Sequence, residues 1–275
     1  MKIGVDLGGT NIRCGLVDDG QIVKKMSEVC LSDKEENEVL EQLEGLISQL
    51  LNPSVEGIGI GVPSVVDMQK GIVYNVANIP SWKEVHLKEI LETKFEIPVF
   101  VNNDSNCFAL GEHSNGDGKS FRHMVGVTLG TGVGAGVIIN NELYCGNNTG
   151  AGEIGCLPYQ RYNYEYYCGS NFFEKFYRLT AQEAAILANK GDARALRIWE
   201  EYGKHLGMLV QAILYTYDPE AIIFGGGIAN AYTFFSAKMR ETMAEFAYPE
   251  TLEKLQVLIS SNEDISLLGA ATLGN

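Results

Sequence analysis

A chain of 275 residues, with 45% hydrophobic and 20% charged side chains, is long enough to bury a large core, and two packed units are expected. Its net charge of −14, from 21 basic and 35 acidic side chains, excludes the basic face that duplex nucleic acid or an anionic membrane requires. Nucleotides stay open, because backbone N–H groups hold phosphate even in an acidic protein when a divalent metal supplies charge. No run of about 18 apolar residues predicts a membrane span. The start is strand-like rather than a signal peptide. Cys14, Cys30, Cys107, Cys145, Cys156 and Cys168 are therefore read as reduced thiols of a cytoplasmic protein.

Residues 2–7, 12–18 and 21–29 read as strands joined by very short turns, the second turn at Asp18-Asp19-Gly20. Ser32-Asp33 caps a helix whose apolar face is Leu40, Leu43, Leu46, Ile47 and Leu50. Residues 55–62 form a buried strand ended by Pro63, residues 84–95 a helix, and residues 97–104 a strand emerging into polar residues. The second half opens the same way, with strands at 123–129 and 133–139 around the turn "GTG". A tyrosine-rich stretch precedes helices at 170–189 and 192–217. The strand "AIIFGGG" leads into a helix after Gly227, and a strand near 255–260 and a helix opened by Asp264 close the chain. The order of elements repeats without a sequence repeat. That predicts two mixed α/β halves facing a cleft.

Two glycine turns stand out, "DLGGT" at residues 6–10 and "LGTGVGAG" at 129–136. Glycine permits φ > 0 and close approach of a ligand to backbone. Thr10, Thr128 and Thr131 offer hydroxyls to phosphate oxygens. Each turn alone is equally a plain glycine hairpin; two in equivalent places, each with a hydroxyl, favour phosphate. Neither is a Walker loop or a dinucleotide fingerprint, since a strand follows. At the end of an apolar strand, "NNDSN" places Asn102, Asn103 and Asp104 where α/β folds put ligand chemistry. Asp104 is either a general base for an attacking alcohol or a helix N-cap. In "GAGEIGC", Glu153 is an acceptor for sugar hydroxyls or a solvated loop acid. Glu165 and Glu174, in the aromatic stretch that follows, are within reach of the cleft. The glycines of "FGGGIAN" suit a nucleotide's base or ribose, or a tight strand–helix turn. His86, His113, His123 and His205 form no metal-binding pair.

These motifs in this order, with the late "SLLGAA", resemble the ROK family of sugar kinases and sugar-responsive repressors. The resemblance implies an actin/hexokinase-like (ribonuclease H-like) α/β fold with duplicated domains and ATP in the interdomain cleft. One domain is expected at 1–104, completed by the C-terminal helix 264–275, and a larger one at 105–263. It implies that Asp6, Gly8, Gly9 and Thr10 form the first phosphate loop, with Asp6 near the metal–phosphate cluster. Gly130, Thr131 and Gly132 form the second, and Gly225, Gly226 and Gly227 lie on the adenosine side. Asp104 falls on the catalytic base, and Asn103 and Glu153 on sugar ligands. Asn78, in "NVANIPSW", lies where the family presents an Asn to the sugar. Glu174 stands in for a further sugar-binding Glu at a spacing one residue short. ATP with Mg²⁺, a hexose substrate and a homodimer by analogy are implied. The sugar stays open between glucose, fructose, mannose and an N-acetylhexosamine. A DNA-free sugar sensor and an actin-like assembly protein are the rival functions; with the phosphate turn at residue 6, no helix-turn-helix is expected ahead of it.

The family's zinc motif is broken here. Cys156 replaces its His, and "YYCGSNFFEK" keeps only Cys168 and Gly169, too few partners for tetrahedral zinc. Metal analysis of the purified protein is expected to find no stoichiometric zinc; one zinc per chain would overturn that expectation.

Overall fold

The computed structural model describes residues 1–274. Strands β1 (Lys2–Leu7), β2 (Asn11–Asp18) and β3 (Gln21–Val29) form an antiparallel meander, followed by helix α1 (Glu36–Ser48) and strand β4 (Ile58–Val62). A small three-stranded sheet comes next, from β5 (Val65–Asp67), β6 (Ile72–Tyr74) and β7 (Glu84–Val85). Helix α2 (Leu87–Phe95), strand β8 (Val99–Asn103) and helix α3 (Asp104–Asn115) complete the first half. The first sheet runs β3-β2-β1-β4-β8, with β1, β4 and β8 parallel. All five residues of β4 are buried, as expected of a central strand covered on both faces.

The second half repeats this plan. Strands β9 (Met124–Leu129), β10 (Val133–Ile139) and β11 (Glu142–Leu143) form a second meander. After a short hairpin, β12 (Pro158–Tyr159) and β13 (Tyr162–Asn163), come helices α4 (Tyr164–Cys168), α5 (Ala181–Asn189) and α6 (Ala193–Tyr217). Strand β14 (Ala221–Gly225), helices α7 (Tyr232–Met243) and α8 (Pro249–Lys254), strand β15 (Gln256–Ile259) and helix α9 (Ile265–Thr272) follow. The second sheet runs β11-β10-β9-β14-β15, the same order and directions as the first. The duplicated α/β fold expected from the motif order is therefore present.

Several local expectations gave way. The first helix is opened by Glu35, whose N–H donates to Glu38 Oε2 at 3.2 Å, not by Ser32-Asp33. Residues 84–85 pair with β6, so α2 begins at Leu87. The single helix expected at 170–189 is broken: Phe172–Tyr177 is a π-helical turn, Arg178 is left-handed at φ 58°, and Thr180 recaps the chain into α5. Gly227–Ala231 is a 3₁₀ turn that delays α7 to Tyr232. The sheet at 65–85 has no counterpart in the predicted elements; its three strands are only two or three residues long, below the length at which alternation shows.

Two helices join the sheets. Helix α3 packs on β9 and β10 of the second sheet, α9 packs on β1 and β4 of the first, and α3 and α9 pack on each other. The contact is backbone to backbone. A Cβ on Gly269 would lie 1.8 Å from the carbonyl oxygen of Cys107, and one on Gly111 would lie 2.0 Å from that of Ile265. A Cβ on Gly59 would lie 1.7 Å from the carbonyl oxygen of Ala270. Overpacking so tight a seam costs typically about 1–3 kcal/mol. Gly269→Ala is expected to lower the urea midpoint accordingly. Gly45→Ala, on the exposed face of α1 with open space around it, should raise the midpoint, by the equivalent of about 0.5–1 kcal/mol of stability from helix propensity. Equal effects from both would contradict a tight crossing.

Candidate active site

The carboxyl ends of β1, β8 and β9 open onto one cleft of about 710 Å³. Asp6, Gly8, Gly9, Thr10, Asn78, Asn103, Asp104, Gly130, Thr131, Gly132, Glu153 and Gly226 all line it. Gly225, Gly226 and Gly227, at the end of β14, line an adjoining recess of about 520 Å³ with Ser260, Asn262 and Ser266. Asp6, Arg13, Asp104, Thr128 and Gly226 belong to both, so the two spaces meet around the paired carboxylates.

None of the glycines of the turns, Gly8, Gly9, Gly130 and Gly132, has positive φ; Gly9 and Gly132 are required by close approach, whereas Gly130 has open space around it. In the first turn the Gly8 N–H donates to the Asn11 carbonyl at 2.9 Å, and a Cβ on Gly9 would lie 2.3 Å from Cβ of Asn78. The turn thus lies flat on the loop that presents Asn78. In the second turn the Gly130 N–H donates to the Gly132 carbonyl at 3.0 Å. A Cβ on Gly132 would lie 2.4 Å from Glu165 Oε2, which accepts from the Val133 N–H at 3.1 Å. Gly226 does need its freedom, with φ 85° against the carbonyl of Leu129.

The helix cap falls one residue before Asp104. Asn103 Oδ1 accepts from the N–H groups of Ser105 and Asn106 at 2.9 and 3.3 Å, so Asn103 is the N-cap of α3. Its Nδ2 donates to the Ser64 carbonyl at 3.3 Å. Asp104 is the first helical residue, and its Oδ1 accepts from the Ser105 N–H at 2.7 Å and hydroxyl at 3.3 Å. Ser105 Oγ in turn lies 3.1 Å from the Thr128 hydroxyl. Burial and the neighbouring Asp6 carboxylate push the Asp104 carboxyl up to about 7, against the pull of the Ser105 hydrogen bonds. Glu153 adds to the rise.

Arg13 was not singled out from the sequence. It stands directly across the hairpin from Asp6, and its Nε donates to Asp6 Oδ2 at 3.1 Å. Its Nη1 donates to the Glu263 carbonyl at 3.0 Å, and Asp264, also paired with Lys25, lies 3.9 Å away. Counting back from the turn, Leu7 pairs with Ile12 and Asp6 with Arg13, so hairpin register alone was a signal. Of the two acids in the aromatic stretch, Glu165 lines the cleft and Glu174 does not: Glu174 is exposed on the π-helical turn. Glu153 opens the 3₁₀ turn Ile154–Cys156, and the Cys156 thiol donates to its Oε2 at 3.6 Å.

Among the described residues no group of three His, Cys, Asp or Glu side chains is placed to hold a metal ion. Cys168 is buried in the aromatic core of the second half. The Asp6 carboxylate disfavours charge on Asp104, while Asp6 itself is ion-paired with Arg13.

The ROK family profile matches residues 2–172 and 173–275, and the chain belongs to the ROK family. It is 31% identical to a glucokinase of Thermotoga maritima, over 98% of this chain and 96% of that one. It is 27% identical to the xylose repressor of Bacillus subtilis, over 99% of this chain and 76% of the repressor. The structure of a ROK family glucokinase from Streptomyces griseus, in complex with glucose and AMPPNP, matches it with a TM-score of 0.84 at 25% identity, covering 99% of this chain and 98% of that one.

The raised carboxyl has a stability consequence. Near pH 4 and below, Asp104 holds its proton in the folded chain and carries no charge penalty. As pH rises past the unfolded value of 3.8, the unfolded chain releases its proton first, and stability falls until the folded group has titrated near pH 7. Asp104→Asn is therefore expected to melt above the parent at pH 8, with the gap closing toward pH 4. Asn103→Ala is expected to lose about 1 kcal/mol at both, as a cap should. If Asp104→Asn destabilises and Asn103→Ala does not, the cap assignment is wrong.

Proposed function

We propose that the protein is an ATP-dependent hexose kinase of the glucokinase type, transferring the γ-phosphoryl group of ATP to the primary hydroxyl of a hexose. The observation that carries this reading is Asp104: a partly buried carboxyl, free of capping duty, between two glycine turns and beside a second carboxylate. A carboxylate near pH 7 in basicity is matched to general-base work at neutral pH. The glucokinase relatives support the same class.

In this reading residues 1–104 with the C-terminal helix form one lobe and residues 105–263 the other. ATP enters as its Mg²⁺ complex, which supplies positive charge at the β and γ phosphates; Asp6 would hold the ion. The N–H groups of Gly9, Thr10, Thr131 and Gly132 and the hydroxyls of Thr10 and Thr131 face the phosphates, the N–H groups of Gly8 and Gly130 being engaged within their own turns, and Gly225 to Gly227 flank the adenosine. Arg13 steadies Asp6 and adds a fixed cation where the two recesses meet. The hexose lies against Asn78, Asn103 and Glu153, with Glu165 closing the wall in place of Glu174. Asp104 takes the proton from the primary hydroxyl as that oxygen attacks phosphorus. Ser105 holds the Asp104 carboxylate in place. Closure of the lobes excludes water, a competing nucleophile.

Fructose and N-acetylhexosamines are the alternative substrates, since these sugars differ by one or two hydroxyl contacts. The match to a xylose repressor favours a second reading, sugar sensing without catalysis. A panel of hexoses with ATP and Mg²⁺, reading ADP release, separates the two. Hexose-dependent ADP is expected, and the rate should fall tenfold per pH unit below about pH 7, where Asp104 is protonated. Asp104→Asn should lose about 10²–10⁴-fold in rate while still binding sugar. Activity within a few fold of the parent would remove Asp104 from the chemistry, and no ADP with any hexose would leave the sensor.

A further inference from the structure

A second groove, of about 810 Å³, opens on the other side of the segment 164–177 from the cleft. That segment contributes Glu165 and Asn171 to the cleft and Tyr167 and Phe176 to the groove, so the two spaces share one wall. The groove's floor is aromatic. The Tyr167 and Phe176 rings stack at 5.5 Å with 24° between planes, and His205 packs on Tyr167 at 4.9 Å. Tyr167 is buried with one face covered by Phe176, and Phe176, 45% exposed, presents the ring that suits the C–H face of a sugar.

The rim is charged: Lys238 on it pairs with Glu241, whereas two other cations do not pair among the described residues. Arg197, Glu200 and Lys204 recur at three and four residues along α6, which puts them on one face. Arg197 with Glu201, and Glu200 with Lys204, have the spacing for ion pairs. Yet neither Arg197 nor Lys204 makes an ion pair or a hydrogen bond among the described residues. Glu201 turns instead to the Tyr177 hydroxyl at 2.5 Å. Two free cations beside an aromatic floor call for an anion attached to a ring, and Glu200 offers an acceptor for ring hydroxyls.

One buried group points the same way. His205 is 5% exposed, yet its ring lines the groove. Its Nδ1 is engaged by the Tyr159 hydroxyl at 3.0 Å, whereas Nε2 has only Glu201, 3.9 Å away, beyond hydrogen-bond reach. The imidazole edge thus faces the groove with Glu201, at ion-pair distance, as its one neighbour on that side among the described residues.

We propose that this groove is a second binding site for a phosphorylated monosaccharide, its phosphate on Arg197 and Lys204, its ring on Phe176, and a hydroxyl on His205 Nε2. Binding here does not depend on the kinase reading, which gives the ligand its meaning as a compound of the product's class. The test is NMR of the four ¹⁵N-labelled histidines, with the His205 signal identified by its loss in His205→Gln. Glucose 6-phosphate is expected to shift the His205 signal saturably in the parent. In the double variant Arg197→Glu, Lys204→Glu the shift should need at least tenfold more ligand, with the other histidine signals unchanged in the free protein. Glucose and inorganic phosphate, added separately, should each act at least tenfold more weakly. A His205 signal that does not move, or moves equally in the double variant, overturns the site; an equal response to inorganic phosphate overturns the sugar. Loss of kinase activity with the His205 response intact would count against the cleft reading alone.

Discussion

The geometry of the cleft depends on two helices meeting backbone to backbone. Gly269 and Gly111 let α9 and α3 touch without side chains between them. Each helix lies on a different sheet, so the crossing fixes one half of the molecule against the other. Interiors this dense do not deform smoothly, and a misplaced methyl group is felt along the seam. Because α3 begins at Asp104, the seam also sets where that carboxyl stands. It leaves the end of β8 in one sheet and reaches, through Ser105 and Thr128, the glycine turn of the other.

Charge then sorts the residues around it. Asp6 has a cation at hand in Arg13, which is anchored on the Glu263 carbonyl and near Asp264. Asp104 has no such partner, so its burial and the field of Asp6 raise its affinity for a proton. One carboxylate is ion-paired with a neighbour, and the other, without such a partner, is made basic by burial. Separation of two acids by environment is how a site acquires distinct roles for chemically identical groups.

Much of this was legible in the residues because glycine turns punctuate the strands. β1, β3 and β10 fell where the pattern placed them, and the repeated element order gave the duplicated fold. The ordered motifs located almost every cleft residue before any fold was known. What failed has physical causes. Asn103 and Asp104 are both good caps, and which one takes the role depends on where β8 stops pairing with β4. Glu174 was misplaced because a π-helical turn changes the angle at which side chains leave the axis, and an aromatic run carries no signal for it. Arg13 acts across two strands, so only hairpin register exposes it.

The most direct test of the account is a crystal structure with a hexose and a non-hydrolysable ATP analogue bound together. The account predicts the sugar's primary hydroxyl oxygen within about 2.6–3.2 Å of an Asp104 carboxylate oxygen, and the terminal phosphate between the 8–10 and 130–132 turns. A sugar held elsewhere, or a phosphate chain lying away from both turns, would contradict it.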